Sequence, residues 1–251
     1  MYAAPTEEAE VVSQAIYGTN ASLVEDRGKW ARIRTPDGYT GWAASAIVLR
    51  RINPYASAGR VVQVASLFAN LYREPNVTKH QPMMTVPFET RLEAATEPQE
   101  GNRRWIQVRL VDGRAAWVQR GDVAVDPQAL SAGETIALAK RFVGLPYLWG
   151  GTSSFGYDCS GFTQMLCRRR GVTVPRDAQP QAHWEGMIPI EPAVLKPGDL
   201  LYFGGSVGKI THSGMYIGNG EMIHATPPFI RIGRLEDIRP ARGLMLARRL
   251  R

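Results

Sequence analysis

The sequence predicts an α+β protein: two small β-barrels followed by a mixed domain of helices and strands. Two observations carry that expectation. A hairpin pattern in the first half recurs at an offset of 75 residues, and from about Ser131 the hydrophobic period changes to one of helices among short strands. The length of 251 residues accommodates one to three domains at roughly 100–200 residues each. Hydrophobic residues make up 44% and charged residues 21%, the balance of a globular chain rather than a disordered one.

The repeat is read first. Trp30 to Trp42 lines up with Trp105 to Trp117, with identical pairs Trp30/Trp105, Arg34/Arg109, Asp37/Asp112, Gly38/Gly113, Trp42/Trp117 and Val48/Val123. Each copy reads as an alternating strand, a turn at Asp-Gly and a second strand opened by an aromatic. The flanking segments are rich in turn residues and lack a helix period, which points to small barrels. Arg51 to Gly59, with Pro54, Ser57 and Gly59, reads as the link between them, and Asp126-Pro127 as the second boundary. The expected domains are therefore 1–53, 54–126 and 127–251. Glu97 to Asn102 reads as an exposed polar loop.

Ser131-Ala-Gly-Glu134 is a capping-box pattern, so a helix is expected through Ala137, Ala139 and Phe142 to Gly144. A second helix is expected from Phe162, Met165 and Leu166 to a stop at Gly171, placing Cys159 at or near its N-terminus. Exposed N–H groups and the helix dipole there favour a thiolate, so a lowered thiol pKa is expected. Cys167 lies eight residues on, about 12 Å along the axis at 1.5 Å per residue, and cannot bridge to Cys159. It reads as inert packing.

A nucleophilic thiol needs a base. Of four histidines, His80 and His183 read as surface residues. His212 and His224 lie on two strand-like runs around Gly218-Asn219-Gly220, a hairpin signal. A three-residue loop pairs Ile217 with Glu221, sets His212 opposite Thr226 and brings His224 to the same face. A two-residue loop would separate the histidines. On a shared face, His224 can hold one ring nitrogen of His212 and leave the other for Cys159. A zinc site from Cys159, His212 and His224 is a rival reading, but no metal-ligand spacing supports it.

Five motifs occur in order: Tyr147-Leu-Trp-Gly-Gly, Asp158-Cys159-Ser160-Gly161-Phe162, Val174-Pro-Arg176-Asp177, Pro197-Gly-Asp199-Leu-Leu-Tyr-Phe and His212-Ser-Gly-Met-Tyr-Ile-Gly. Together they resemble the NlpC/p60 family of papain-like cell-wall peptidases over roughly residues 130–251. The tryptophan hairpins resemble bacterial SH3-like domains. The whole chain is similar to the three-domain members that cut peptidoglycan stem peptides between D-Glu and the diamino acid. The resemblance implies Cys159 as nucleophile, His212 as general base and His224 as the polar third residue. It implies substrate contacts from Tyr147, Asp158, Ser160 and Asp177, and a cleft closed on the free L-Ala amine by Glu10 and Tyr39. Where the family commonly has Ser after Pro-Arg-Asp, this chain has Ala178, so one hydroxyl is missing.

The expected partner is a peptidoglycan-derived peptide, with no cofactor and no metal. The net charge of +7 suits an anionic wall but equally serves solubility. Arg168-Arg169-Arg170 reads as a helix C-terminus, and Arg248, Arg249 and Arg251 cluster at the chain end. Neither run is interleaved with aromatics, so no nucleic acid is expected. No apolar run approaches the ~18–20 residues of a membrane span, and no signal-peptide pattern opens the chain. A monomer is expected. The rival readings are a hydrolase of intact wall anchored by its SH3-like domains, and a non-catalytic wall-binding scaffold.

Overall fold

The two Asp-Gly turns sit where the backbone enters the left-handed region, with φ of 83° at Gly38 and 86° at Gly113. The computed structural model describes residues 1–95 and 104–251; the loop expected at Glu97–Asn102 lies outside them. Strands β1 (Ser22–Arg27), β2 (Trp30–Arg34) and β3 (Thr40–Ala44) form an antiparallel sheet in which Trp30 pairs with Ala44 and Arg32 with Trp42. A second, seven-stranded sheet contains β4 (Val61–Val64), β5 (Phe68–Tyr72), β6 (Met84–Pro87), β7 (Arg91–Ala94), β8 (Trp105–Arg109), β9 (Ala115–Gln119) and β10 (Val123–Val125). Its order is β10-β4-β7-β8-β9-β5-β6. There Trp105 pairs with Gln119 and Gln107 with Trp117, the pairings of the first hairpin repeated 75 residues on.

Val62, Leu71, Leu92, Val108, Leu110 and Val118 fill the core between these strands. The expected link at Arg51–Gly59 is packed rather than loose. Tyr55 is buried, its hydroxyl donates to the Arg109 carbonyl at 2.6 Å, and its amide donates to Asn20 Oδ1 at 2.8 Å. One aromatic anchor outweighs the turn-forming residues around it. Met1–Glu10, Ala15–Pro36 and Thr40–Gln128 make up one compact unit.

The other unit comprises Val11–Gln14, Asp37–Tyr39 and Ala129–Arg251. Helix α1 (Ala132–Lys140) starts at a complete capping box, with Glu134 N donating to Ser131 Oγ and Ser131 N to Glu134 Oε2. It stops at Lys140, earlier than the sequence suggests. Phe142 lies in the turn beyond, where its ring packs against Tyr157 at 5.8 Å and Phe162 at 6.1 Å. The chain continues through β11 (Thr152–Ser153), β12 (Gly156–Tyr157), α2 (Cys159–Arg169), α3 (Ala178–Ala182) and β13 (Met187–Ile190). It closes with β14 (Leu200–Ser206), β15 (Lys209–Gly218), β16 (Glu221–Thr226), β17 (Phe229–Arg234), α4 (Leu235–Arg242) and β18 (Leu244–Leu250).

The six long strands form one antiparallel sheet, order β13-β18-β14-β15-β16-β17. Phe162, Met165 and Leu166 of α2 are fully buried, each contributing about 2 kcal/mol of apolar transfer energy. They fix the helix against β15 and β16, with Thr163 Oγ1 3.0 Å from Ser213 Oγ. Leu201, Phe203 and Met222 of the sheet cover Ile238 of α4. This is the α+β architecture expected, a small β-rich region followed by a papain-like domain.

Candidate active site

The start of α2 is built around one carboxylate. Asp158 is the N-cap residue, and its Oδ1 accepts from Gly161 N at 2.7 Å. Its Oδ2 accepts from Gly150 N at 3.0 Å. Arg176 closes on both oxygens as a fork: Nη1 donates to Oδ1 at 3.0 Å and Nη2 to Oδ2. The same guanidinium donates to Ser160 Oγ at 2.9 Å and to Ser13 Oγ at 3.2 Å. Asp158 is 6% exposed and Arg176 2%, so the pair is buried. Gln181 completes the frame, donating from Nε2 to the carbonyls of Ser160 and Pro175.

Cys159 is the first residue of α2 and is itself buried. Ladder pairing between β15 and β16 ends at Met215↔Ile223. Beyond it, the Thr211 carbonyl and the Ser213 amide, on either side of His212, meet the sulfur; the Thr211 contact is 3.9 Å. Burial pushes the thiol pKa up, and the Asp158 carboxylate adds to the rise. The Ser213 and Ser160 amides and Arg176 pull it down without reversing the direction. The lowered pKa expected from a helix N-terminus is thus corrected, because desolvation outweighs the N–H groups. Tyr147, half-buried, lies within electrostatic reach of Cys159 and Asp158. Burial first, then those two groups, push its hydroxyl up to about 12, so it stays a donor. Cys167 is fully buried, and burial pushes its thiol up to about 12.

The two histidines meet. His212 Nε2 is 2.7 Å from His224 Nδ1, and the rings stand nearly edge to face at 76°. The hairpin reaches this by a route that differs from the sequence expectation. The turn has two residues, Asn219 and Gly220, both at positive φ (53° and 76°), the type that suits a hairpin twist. Gly218 pairs with Glu221, and Tyr216, not Ile217, pairs with Met222. Ile217 is a bulge, and that extra residue restores the shared face a two-residue turn alone would forbid. Gly214, two residues after His212 on β15, lies next to His224 of β16. A Cβ there would come within 2.9 Å of His224 Cβ and 2.2 Å of Met222 Cε. Burial holds both imidazoles neutral: His212 falls well below its ordinary value and His224 to about 4. Arg242 adds to both shifts, His224 to that of His212, and Arg231 to both.

The second unit holds Cys159, His212, His224, Tyr147, Asp158, Ser160, Asp177 and Tyr39. Asp177 is the exposed N-cap residue of α3, and Tyr39 N donates to Asp37 Oδ1 at 3.2 Å. Glu10 belongs to the first unit, where its carbonyl accepts from Ala3 N at 2.9 Å. His183 Nε2 lies 2.9 Å from the Val207 carbonyl and His80 lies 3.4 Å from Glu74, both exposed. Four residues of the site carry no role in the sequence motifs. Arg176 stood inside a recognised motif without a role, since nothing in its neighbours announces a buried arginine. Gln181, Ser13 and Gln14 carried no pattern, yet Gln14 Oε1 accepts from Thr152 N at 3.0 Å and from Ser153 Oγ at 2.8 Å. Among the described residues, no three His, Cys, Asp or Glu side chains converge as a metal-binding group.

A buried thiol at a helix start, set against two neighbouring strands that each contribute one histidine of a pair, defines a papain-like thiol hydrolase. Comparison with known proteins agrees. Residues 144–248 match the model of the NlpC/P60 family, and residues 1–46 that of the bacterial dipeptidyl-peptidase Sh3 domain. The chain is 33% identical to a gamma-D-glutamyl-L-lysine dipeptidyl-peptidase of Bacillus cereus, covering 88% of this chain and 68% of that protein. The enzyme of the same name from Bacillus subtilis is 31% identical, with coverages of 86% and 72%. The crystal structure of an NlpC/P60 family protein from Bacillus cereus superposes with a TM-score of 0.78 at 31% identity, covering 89% of this chain and 76% of that one. This chain belongs to the NlpC/P60 family. It is a cysteine-type peptidase with a bacterial SH3-type domain at its N-terminal end.

Proposed function

We propose that the protein hydrolyses the bond between γ-D-Glu and the diamino acid, meso-diaminopimelate or L-Lys, in peptidoglycan stem peptides with a free N-terminal L-Ala. The observation that carries this reading is the seating of Cys159 Sγ against the backbone on both sides of His212, with His212 Nε2 held 2.7 Å from His224 Nδ1. The relatives named above give the bond.

The resting pair is a neutral thiol and a neutral imidazole, so attack and proton transfer are coupled. The Cys159 proton passes to His212 Nδ1 as Sγ adds to the γ-carbonyl carbon. His212 Nε2–H donates to His224 Nδ1 and so keeps Nδ1 the basic nitrogen. The oxyanion accepts from the amides at the start of α2 and from the Tyr147 hydroxyl, which stays protonated. The carbon–nitrogen bond breaks as His212 returns the proton to the departing amine. Water, deprotonated by His212, then cleaves the thioester, and the thiol leaves with the proton.

Asp158 has a different task from the one the family resemblance suggests. Five donors already crowd its two oxygens, against about four lone-pair positions. We assign it to holding the helix start, and the L-Ala amine to the exposed Asp177, with Ser160 and Tyr39 as the remaining candidates. We further assign residues 1–53 and 54–126 as two SH3-like domains and 127–251 as the peptidase domain, acting as a monomer.

Mass spectrometry of products from L-Ala-γ-D-Glu-diaminopimelate and its lysine counterpart tests the bond. Cys159→Ala should abolish both products with the fold unchanged; retained turnover would remove Cys159 as nucleophile. Acetylating the substrate amine should sharply reduce turnover, and equal rates on the two forms would refute the free-amine requirement.

A further inference from the structure

Behind the histidine pair lies a cavity of about 490 Å³ that the reaction above does not use. His224, Arg231, Gly233, Asp237, Ile238 and Arg242 line most of it. His224 is 1% exposed, and its Nε2, the nitrogen not turned to His212, is buried with no hydrogen-bond partner. Such an atom costs stability wherever it is left unmatched. Arg231 stands directly across the ladder from His224. Arg242 is anchored on the same side, its Nη2 donating to Thr226 Oγ1 at 2.7 Å. Residue 233, beside Nε2, is glycine: a Cβ there would sit 3.5 Å from Nε2 and 3.0 Å from Ile238 Cδ1. Asp237 is the single carboxylate of the lining, and Arg234, also in the wall, is drawn to Glu236 at 2.9 Å.

We propose that this cavity is an oxyanion site, for a carboxylate or phosphate group, gripped by Arg231 and Arg242 and accepting a hydrogen bond from His224 Nε2–H. The donor assignment follows from the base. If His212 Nδ1 is to take the thiol proton, His212 Nε2–H must donate to His224 Nδ1, which leaves the second proton of the relay on His224 Nε2, facing the cavity. An anion there matches the orphan donor, offsets the two guanidiniums that otherwise disfavour positive charge on the histidines, and makes His212 a stronger base. The site therefore couples occupancy to turnover through a two-residue relay. The effect on turnover rests on the function proposed above; binding does not.

The test uses the full chain at constant ionic strength set with chloride, so that general screening is held fixed. Inorganic phosphate and succinate are titrated separately by calorimetry and by 15N NMR of labelled histidines. Saturable binding of either probe, with a shift of the His224 Nε2 resonance, is expected, and the two arms show which oxyanion fits. Arg231→Gln removes one charge-assisted contact and should weaken binding by about tenfold or more. Gly233→Ala sets a methyl against Nε2 and Ile238 and should do the same without changing charge. Saturable binding in the wild type that both variants keep at full strength would overturn the site, as would its absence for both probes. Binding with no peptide hydrolysis under any condition would sink the proposed function and leave the site standing. Binding that leaves wild-type turnover unchanged would overturn the coupling.

Discussion

Replacing Arg176 by methionine isolates the contribution of the buried fork. The substitution keeps most of the aliphatic stem but leaves the Asp158 carboxylate with its amide and hydroxyl donors alone, in a place only 6% exposed. Removing one partner of a buried, hydrogen-bonded ion pair costs about 3–5 kcal/mol, because the remaining charge stays desolvated. Across a unit of this size that corresponds to a melting temperature lower by roughly 6–20 °C, at about 2–4 °C per kcal/mol. Differential scanning calorimetry on the wild type, Arg176→Met, Asp158→Asn and the double variant reads both the loss and the coupling. The double variant should cost clearly less than the two single losses together, since the stranded charge is gone. A single-variant loss under about 1 kcal/mol, or strict additivity, would refute the claim that this pair holds the start of α2.

Three further outcomes are expected. Gly214→Ala should cut kcat by on the order of 100-fold, since a methyl within 2.9 Å of His224 Cβ and 2.8 Å of the Ile223 carbonyl oxygen displaces the strand that holds the imidazole against His212; unchanged kcat would mean the pair tolerates displacement. Stability should fall on acidification: the unfolded His224 takes up a proton below about pH 6.5 and the folded one only near pH 4, so about 3 kcal/mol is lost between those values and none above them. Urea midpoints measured from pH 7 to 4 in the wild type and His224→Gln check this, and parallel profiles would count against it. Tyr147→Phe should reduce kcat by on the order of 100-fold with KM and melting temperature little changed, as for a lost oxyanion donor; a change confined to KM would move Tyr147 to substrate binding.

Local rules carried the reading of the sequence as far as local rules apply. The capping box at Ser131, the Asp-Gly turns, the tryptophan hairpins and the helix start at Cys159 are each decided by a few adjacent residues. What escaped depends on partners far along the chain. Arg176 earns its place only through Asp158 and Ser160, 18 and 16 positions away, and Ser13, 163 positions away. The direction of the thiol pKa escapes for the same reason: a helix N-terminus is visible locally, whereas the burial that overrides it is a property of the folded domain. Tyr55 was hidden among turn formers because its acceptor, the Arg109 carbonyl, lies 54 residues on.

The bulge at Ile217 gives the histidine hairpin one residue of slack. Its turn and its chemistry are set at opposite ends of the ladder, and in a regular hairpin any change of length at one end would invert the other. Here a shortened β15 can be absorbed by drawing Ile217 into the ladder, with His212 and His224 still on one side. A lengthened β15 has no such outlet. Tolerance to insertion and deletion in this hairpin is therefore directional, so relatives one residue shorter between the histidines can keep the pair together, while those one residue longer must build a second irregularity to do so.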